Sequence, residues 1–140
     1  MAIDRDRVRY SLRAEEGLLL KPYKCTAGKL TIGYGRNLEG KGISGQEAEA
    51  MLESDIHECI GLCEARFPWE WSRACDQAKE VLVEMVFQLG PTGVSKFKKF
   101  LSALGNQNYE TAANEMLNSK WARQTPNRAN RLAERVRSCL

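Results

Sequence analysis

The stretch Glu16-Gly-Leu-Leu-Leu-Lys-Pro-Tyr-Lys-Cys25-Thr-Ala-Gly-Lys-Leu-Thr31-Ile-Gly-Tyr-Gly35 decides how the rest of the chain is read. Upstream of it, residues 4–15 carry helical periodicity, with Ile3, Val8 and Leu12 on one face. Gly17 ends that helix, because glycine accepts the left-handed backbone of a helix stop. Leu18-Leu19-Leu20 is too short for a helix of its own, and Pro22 prevents one from continuing. Residues 23–25 and 30–34 bracket Thr26-Ala-Gly-Lys, the pattern of a hairpin. Gly33, Gly35, Gly40 and Gly42 then punctuate a loop. A carboxyl (Glu16), a thiol (Cys25) and a hydroxyl (Thr31) are thereby carried to a helix end and a hairpin.

Further along, Ser44-Gly-Gln-Glu47 has the form of a capping box. Behind it Ala48, Met51, Leu52, Ile56, Cys59, Ile60 and Cys63 recur at helical spacing, predicting a helix that Pro68 closes. From Ser72 to Leu89 a broad apolar stripe of Ala78, Val81, Leu82, Met85 and Val86 predicts a central helix, stopped by Gly90-Pro91. Shorter helices are expected around 94–104 and 109–118. Thr125-Pro126 reads as a cap followed by a first-turn proline, opening a last helix over 126–137. The expected architecture is a mostly helical α+β fold in a single domain. A small β-hairpin lobe at about 17–43 joins, through a long helix at about 44–66, a helical lobe at about 67–140. The helix of residues 1–16 is expected to pack on that helical lobe.

The 140 residues and 43% hydrophobic content fit one domain with an apolar core. No apolar run approaches the roughly 20 residues of a membrane span, so no membrane insertion is expected. The start, Met-Ala-Ile-Asp-Arg-Asp-Arg-Val-Arg, is charged and reads as no secretory signal. Five cysteines without framework spacing predict free thiols in a reducing compartment. His57, Cys59 and Cys63 lie close together, but the spacing is poor for zinc and no fourth ligand is evident, so no metal is expected. The net charge is +3 and unevenly spread. Seven acids face three bases from Arg36 to Arg66, and six bases face one acid from Lys120 to the end. That pattern is either a pair of solvated helix faces or a basic surface for a polyanion, and charge alone does not choose.

Glu16 ends a helix, so it meets the negative end of the helix dipole. A partly buried carboxyl there would keep its proton, as a general acid must. A surface acid following Glu15 has the same local sequence. The neighbouring residues add a resemblance. Glu-Gly-Leu, Lys-x-Tyr-Lys-Cys-Thr-x-Gly and Thr-Ile-Gly-Tyr-Gly resemble the active-site segment of phage-type lysozymes, glycoside hydrolase family 24. Met85-Val-Phe-Gln-Leu-Gly-Pro-Thr-Gly-Val94 and Ser119-Lys-Trp-Ala-Arg-Gln-Thr-Pro-Asn-Arg-Ala129 resemble two later blocks, in the same order. The resemblance covers nearly the whole chain, which is shorter than the T-even phage members between Gly35 and Ile43.

The resemblance implies Glu16 as general acid, Cys25 where many members have aspartate, and Thr31 as a residue helping to hold water. Cysteine is permitted by the family pattern at this place. Cys25 is then a thiolate base, a covalent nucleophile or a spectator, and Lys21, Lys24 and Lys29 are close enough in sequence to favour its thiolate. Phe87 and Gln88 are implied at the cleft wall, with Tyr23 and Arg128 as supporting residues; in relatives the arginine lies near the catalytic glutamate. Trp121 reads as interior. Trp69 and Trp71 match nothing well, and Arg36 receives no role.

The implied activity is an endolysin's cleavage of the β-1,4 bond between N-acetylmuramic acid and N-acetylglucosamine in peptidoglycan glycan strands, without metal or organic cofactor. A monomer is expected, held in the host cytoplasm until a holin-type protein lets it reach the periplasm and cell wall. A lytic transglycosylase using Glu16 alone, a silent wall-binding module and a basic nucleic-acid-binding protein are the competing readings. Cys25 and Thr31 speak against the first, Glu16 against the second, and the absence of a binding motif against the third.

Overall fold

Asp4 begins helix α1 (Arg5–Glu16) by accepting the backbone N–H of Arg7 on Oδ1 at 3.1 Å. Gly17 closes it at φ +69°, giving its N–H to the carbonyl of Arg13 at 3.1 Å. The computed structural model containing this helix describes residues 2–139. The chain divides into two compact units, residues 1–50 and 51–140, and helix α2 (Gly45–Arg66) crosses the boundary.

In the first unit α1 leads into a three-stranded antiparallel sheet, β1 (Leu19–Lys24), β2 (Leu30–Gly33) and β3 (Arg36–Asn37), in that spatial order. The first strand starts well before the expected 23–25, and β3 lies where only a loop was expected. Pairing runs from Leu19↔Gly33 to Tyr23↔Thr31 and Lys24↔Leu30, with an irregular register between Leu19 and Tyr23. Pro22 falls in that irregularity, where its missing N–H is least costly. Gly28, at φ +78°, forms the hairpin turn by donating to the Cys25 carbonyl at 2.8 Å. Both halves of the Ser44–Glu47 capping box are made, at 2.9 and 3.1 Å. The same Glu47 carboxylate is held by both terminal nitrogens of Arg36 at 2.7 Å, and Arg36 also donates to the Gly42 carbonyl at 3.1 Å. Arg36, which the sequence left without a role, therefore fastens the end of the sheet to the start of α2.

The second unit holds the hydrophobic core. Cys59 and Cys63 of α2 enter it, while Met51 and Leu52 stay exposed, so the expected apolar stripe is buried only at its far end. Helices α3 (Pro68–Arg73), α4 (Asp76–Ser95), α5 (Lys98–Gly105), α6 (Tyr109–Leu117), α7 (Lys120–Gln124) and α8 (Pro126–Arg137) follow. Val81, Leu82 and Met85 from α4 are fully buried with Leu104, Met116 and Val136. Burial of each large side chain is worth about 1.5–3 kcal/mol.

Several sequence expectations change here. The helix expected from Ser72 is two: Ala74 is extended, Ser72 belongs to α3, and α4 begins at Asp76. Gly90 does break the helix, at φ +76°, but Pro91 restarts it as a first-turn residue. Helix α7 was not foreseen; Ser119 caps it by accepting from the N–H of Ala122 at 3.1 Å. Thr125 stands at the N-cap of α8, as expected, but its side chain accepts no helix N–H. Its hydroxyl donates back to the Trp121 carbonyl at 2.9 Å.

The expectation of free thiols throughout is also corrected. Cys75, at the cap of α4, and Cys139, beyond α8, form a disulfide with Cα atoms 6.1 Å apart. Packing of α8 on α4 brings them together across 64 residues of sequence. Cys25, Cys59 and Cys63 remain free. No described helix is long and apolar enough to cross a membrane.

Candidate active site

Glu16 is the last residue of α1, and the positive-φ glycine behind it turns the chain sharply into β1. Of the two readings open for Glu16, a partly buried carboxyl or a surface acid, the structure has the second: the residue is exposed. Its place is set by the turn between β2 and β3. Gly35 has φ +75°, and a Cβ added there would lie 2.6 Å from Oε2 of Glu16 and 3.1 Å from its carboxyl carbon. The backbone angle favours glycine, and a side chain there would displace the Glu16 carboxylate. One turn back on α1, the Arg13 guanidinium lies over the Tyr34 ring at 5.9 Å, tying the same helix end to the same turn. The motif glycine that reads as loop punctuation is thus a seat for the carboxylate.

Cys25 and Thr31 meet at the hairpin. Thr31, on β2 opposite Tyr23, is the one buried residue among those described up to residue 50. Its hydroxyl donates to the Lys29 carbonyl at 2.8 Å. Cys25 is half-buried, and its thiol is held below the usual cysteine value. The first cause is the backbone N–H of Lys29 and the second that of Ala27; burial opposes them, and the Thr31 hydroxyl adds to the lowering. Threonine has one hydroxyl proton, so it serves either the Lys29 carbonyl or the sulfur. Ionisation of Cys25 gives it reason to swing to the sulfur. The charges of Lys21, Lys24 and Lys29, expected to favour the thiolate, are not among the causes; turn N–H groups do that work.

The thiols of the other unit behave oppositely. Burial first, then neighbouring Cys59 and Glu64, pushes Cys63 up to about 12. Burial, with Glu58 and Asp55, raises Cys59 as well. These are core thiols, whereas His57 on the same helix is exposed.

Within the second unit, Phe87 is exposed and Gln88 half-buried near the end of the regular part of α4. Gln88 Oε1 accepts the indole N–H of buried Trp121 at 3.0 Å, and its amide N–H₂ has no hydrogen-bond partner among the described residues. Trp121 is interior, as expected. Phe87 is no core residue. Arg128 is half-buried in the first turn of α8, beside fully buried Ala129, and makes no ion pair among the described residues of its unit. Trp69 packs its ring edge on Gly105, where a Cβ would approach to 2.1 Å, with the Arg73 guanidinium 5.7 Å from its centroid. The basic C-terminal segment is partly neutralised: Arg135 pairs with Glu80 and Glu84 of α4, and Arg137 with Glu110 and Glu134.

Residues 13–138 match the family described as phage lysozyme. Two proteins of Dictyostelium discoideum, called probable T4-type lysozyme 2 and probable T4-type lysozyme 1, are 33% and 31% identical to the chain. Each alignment covers 86% of this chain and 88% of the relative. The endolysin of Acyrthosiphon pisum secondary endosymbiont phage 1 is 30% identical over 83% of this chain and 77% of its own length.

Proposed function

From the premise that the chain belongs to the phage lysozyme family and is a glycoside hydrolase, we propose that it hydrolyses the β-1,4 bond between N-acetylmuramic acid and N-acetylglucosamine and so lyses a bacterial host. The observation that carries this reading is Glu16 at the exit of α1, its carboxylate seated on Gly35.

Glu16 gives its proton to the departing glycosidic oxygen while positive charge builds on the sugar ring. Cys25, whose thiolate form the turn N–H groups favour, takes a proton from water attacking the anomeric carbon, and Thr31 helps to hold that water. The thiol proton returns through solvent to the Glu16 carboxylate, which restores both groups. Tyr23, paired with Thr31 across the hairpin, supports it from β1. Phe87 and the amide of Gln88 are the sugar contacts of the second unit, and Arg128 is a supporting cation. No step calls for a metal or cofactor. The protein acts as a monomer on glycan strands. It waits in the host cytoplasm for a holin-type protein and then works on the wall from the periplasm.

Digestion of purified sacculi by wild type and Glu16→Gln tests the reading through the sugar ends released. New reducing muramic acid ends, made by wild type alone, are expected. Anhydro ends would assign a transglycosylase, and no release at all would leave a wall-binding module.

A further inference from the structure

The second unit has a groove that the proposed hydrolysis does not use. It runs between the start of α5 and the α6–α7 corner and encloses about 460 Å³, within the range of ligand-binding clefts. Four lysines line it, Lys96, Lys98, Lys99 and Lys120, against one acid, Glu115, a local charge of 4 − 1 = +3. All four lysines are exposed, and every ion pair of the described residues uses arginine instead. Lys98 and Lys99 fall in the first turn of α5, which carries no acid. Cations there face the positive end of the helix dipole. The local sequence thus accumulates repulsion that an anion in the groove would relieve.

The chemistry of the lining narrows the anion. Among the cations only ammonium groups are present, mobile point charges of the kind that bind phosphate oxygens without a fixed bidentate geometry. The aromatic residues are floor rather than platform. Trp121 is buried and bonded to Gln88, Phe100 is buried, and Phe97 packs edge-on against both at 6.1 and 6.4 Å. With two of the three rings buried and the third half-buried, little aromatic surface is left for stacking a nucleobase. We propose that this groove binds a phosphodiester polymer of the cell envelope, one whose repeats lack bases. The protein would then be retained on phosphate-bearing surface material independently of its hydrolytic site.

Binding of full-length protein to poly(glycerol phosphate) tests this, with single-stranded DNA and poly-glutamate as comparators. The combined variant Lys96→Gln, Lys98→Gln, Lys99→Gln, Lys120→Gln is set against a charge-matched control, Arg5→Gln, Lys41→Gln, Arg123→Gln, Arg131→Gln. Wild type is expected to bind poly(glycerol phosphate) most tightly of the three and more weakly as salt rises. The groove variant should lose on the order of tenfold to a hundredfold in affinity, the control only a small part of that. Lysine-to-arginine changes at the same four positions keep the charge and should keep most of the binding. Hydrolysis of phosphate-free sacculi should be unchanged in the groove variant, so this test and that of the muramidase reading fail separately. Equal loss in variant and control, tighter binding of DNA or poly-glutamate, or no binding by wild type overturns the proposal.

Discussion

Residues up to 50 and residues from 51 onward solve the problem of holding shape in different ways. Every buried hydrophobic residue described lies at or beyond Cys59, whereas before residue 50 the single buried side chain is the hydroxyl-bearing Thr31. The first unit is held by positive-φ glycines, a capping box and the bidentate Arg36–Glu47 pair. The second is held by apolar packing and a disulfide. The polar unit leaves the Glu16 carboxylate exposed and the Cys25 thiol only half-buried, and it keeps the Thr31 hydroxyl hydrogen-bonded beside that thiol. What it gives up is the cooperative stability of a packed core, so its opening free energy belongs at the low end for this molecule.

Glu16→Gln should separate the two regions most sharply. Activity on sacculi falls by about 10²–10⁴-fold, while the thermal midpoint stays put because the side chain is exposed. Met85→Ala is the mirror experiment. It empties a fully buried site and should cost about 2–5 kcal/mol in denaturant unfolding, with activity per folded molecule retained. If Glu16→Gln melts early, or Met85→Ala kills turnover at full stability, the division of labour is mistaken. Gly35→Ala comes next. The new methyl meets Glu16 Oε2 and the backbone is strained, so kcat should fall by up to about 10²-fold through misplacement of the acid, with little change in the unfolding of the second unit.

The smallest effect is a local pH dependence. Hydrogen bonds from Arg36 first, then from the Ser44 backbone and hydroxyl, hold Glu47 down to about 2. Its folded value lies below the unfolded one of about 4.3, so the stabilisation is full above that pH and is lost as pH falls towards 2. NMR titration should show signals from residues 36–47 shifting through this window before those of the core. Glu47→Gln should abolish that early transition.

What the sequence disclosed follows the same divide. Local signals were readable: Gly17 and Gly90 as stops, Ser44–Glu47 as a box, and 126–137 as the last helix all match the structure. Each rests on backbone chemistry spanning a few residues. Contacts made over distance were not readable. Arg36 finds Glu47 eleven residues away, Cys75 finds Cys139, and Gln88 finds Trp121, with nothing local to announce them. Strand β3 is two residues long, too short for any alternation to show. For the candidate site, the residue types at 16, 25 and 31 were visible in the motif. The source of thiolate stabilisation was not, because it lies in turn N–H groups rather than in the lysine side chains that the sequence displays.

Thiol alkylation followed by peptide mass, with sacculus digestion on the same samples, tests most directly whether the hairpin carries the chemistry. Cys25 should react first and below the pH of an ordinary cysteine, and lytic activity should fall in step with its modification while Cys59 and Cys63 stay unlabelled. Full activity with Cys25 completely modified, or earlier labelling of the two core thiols, would contradict the account.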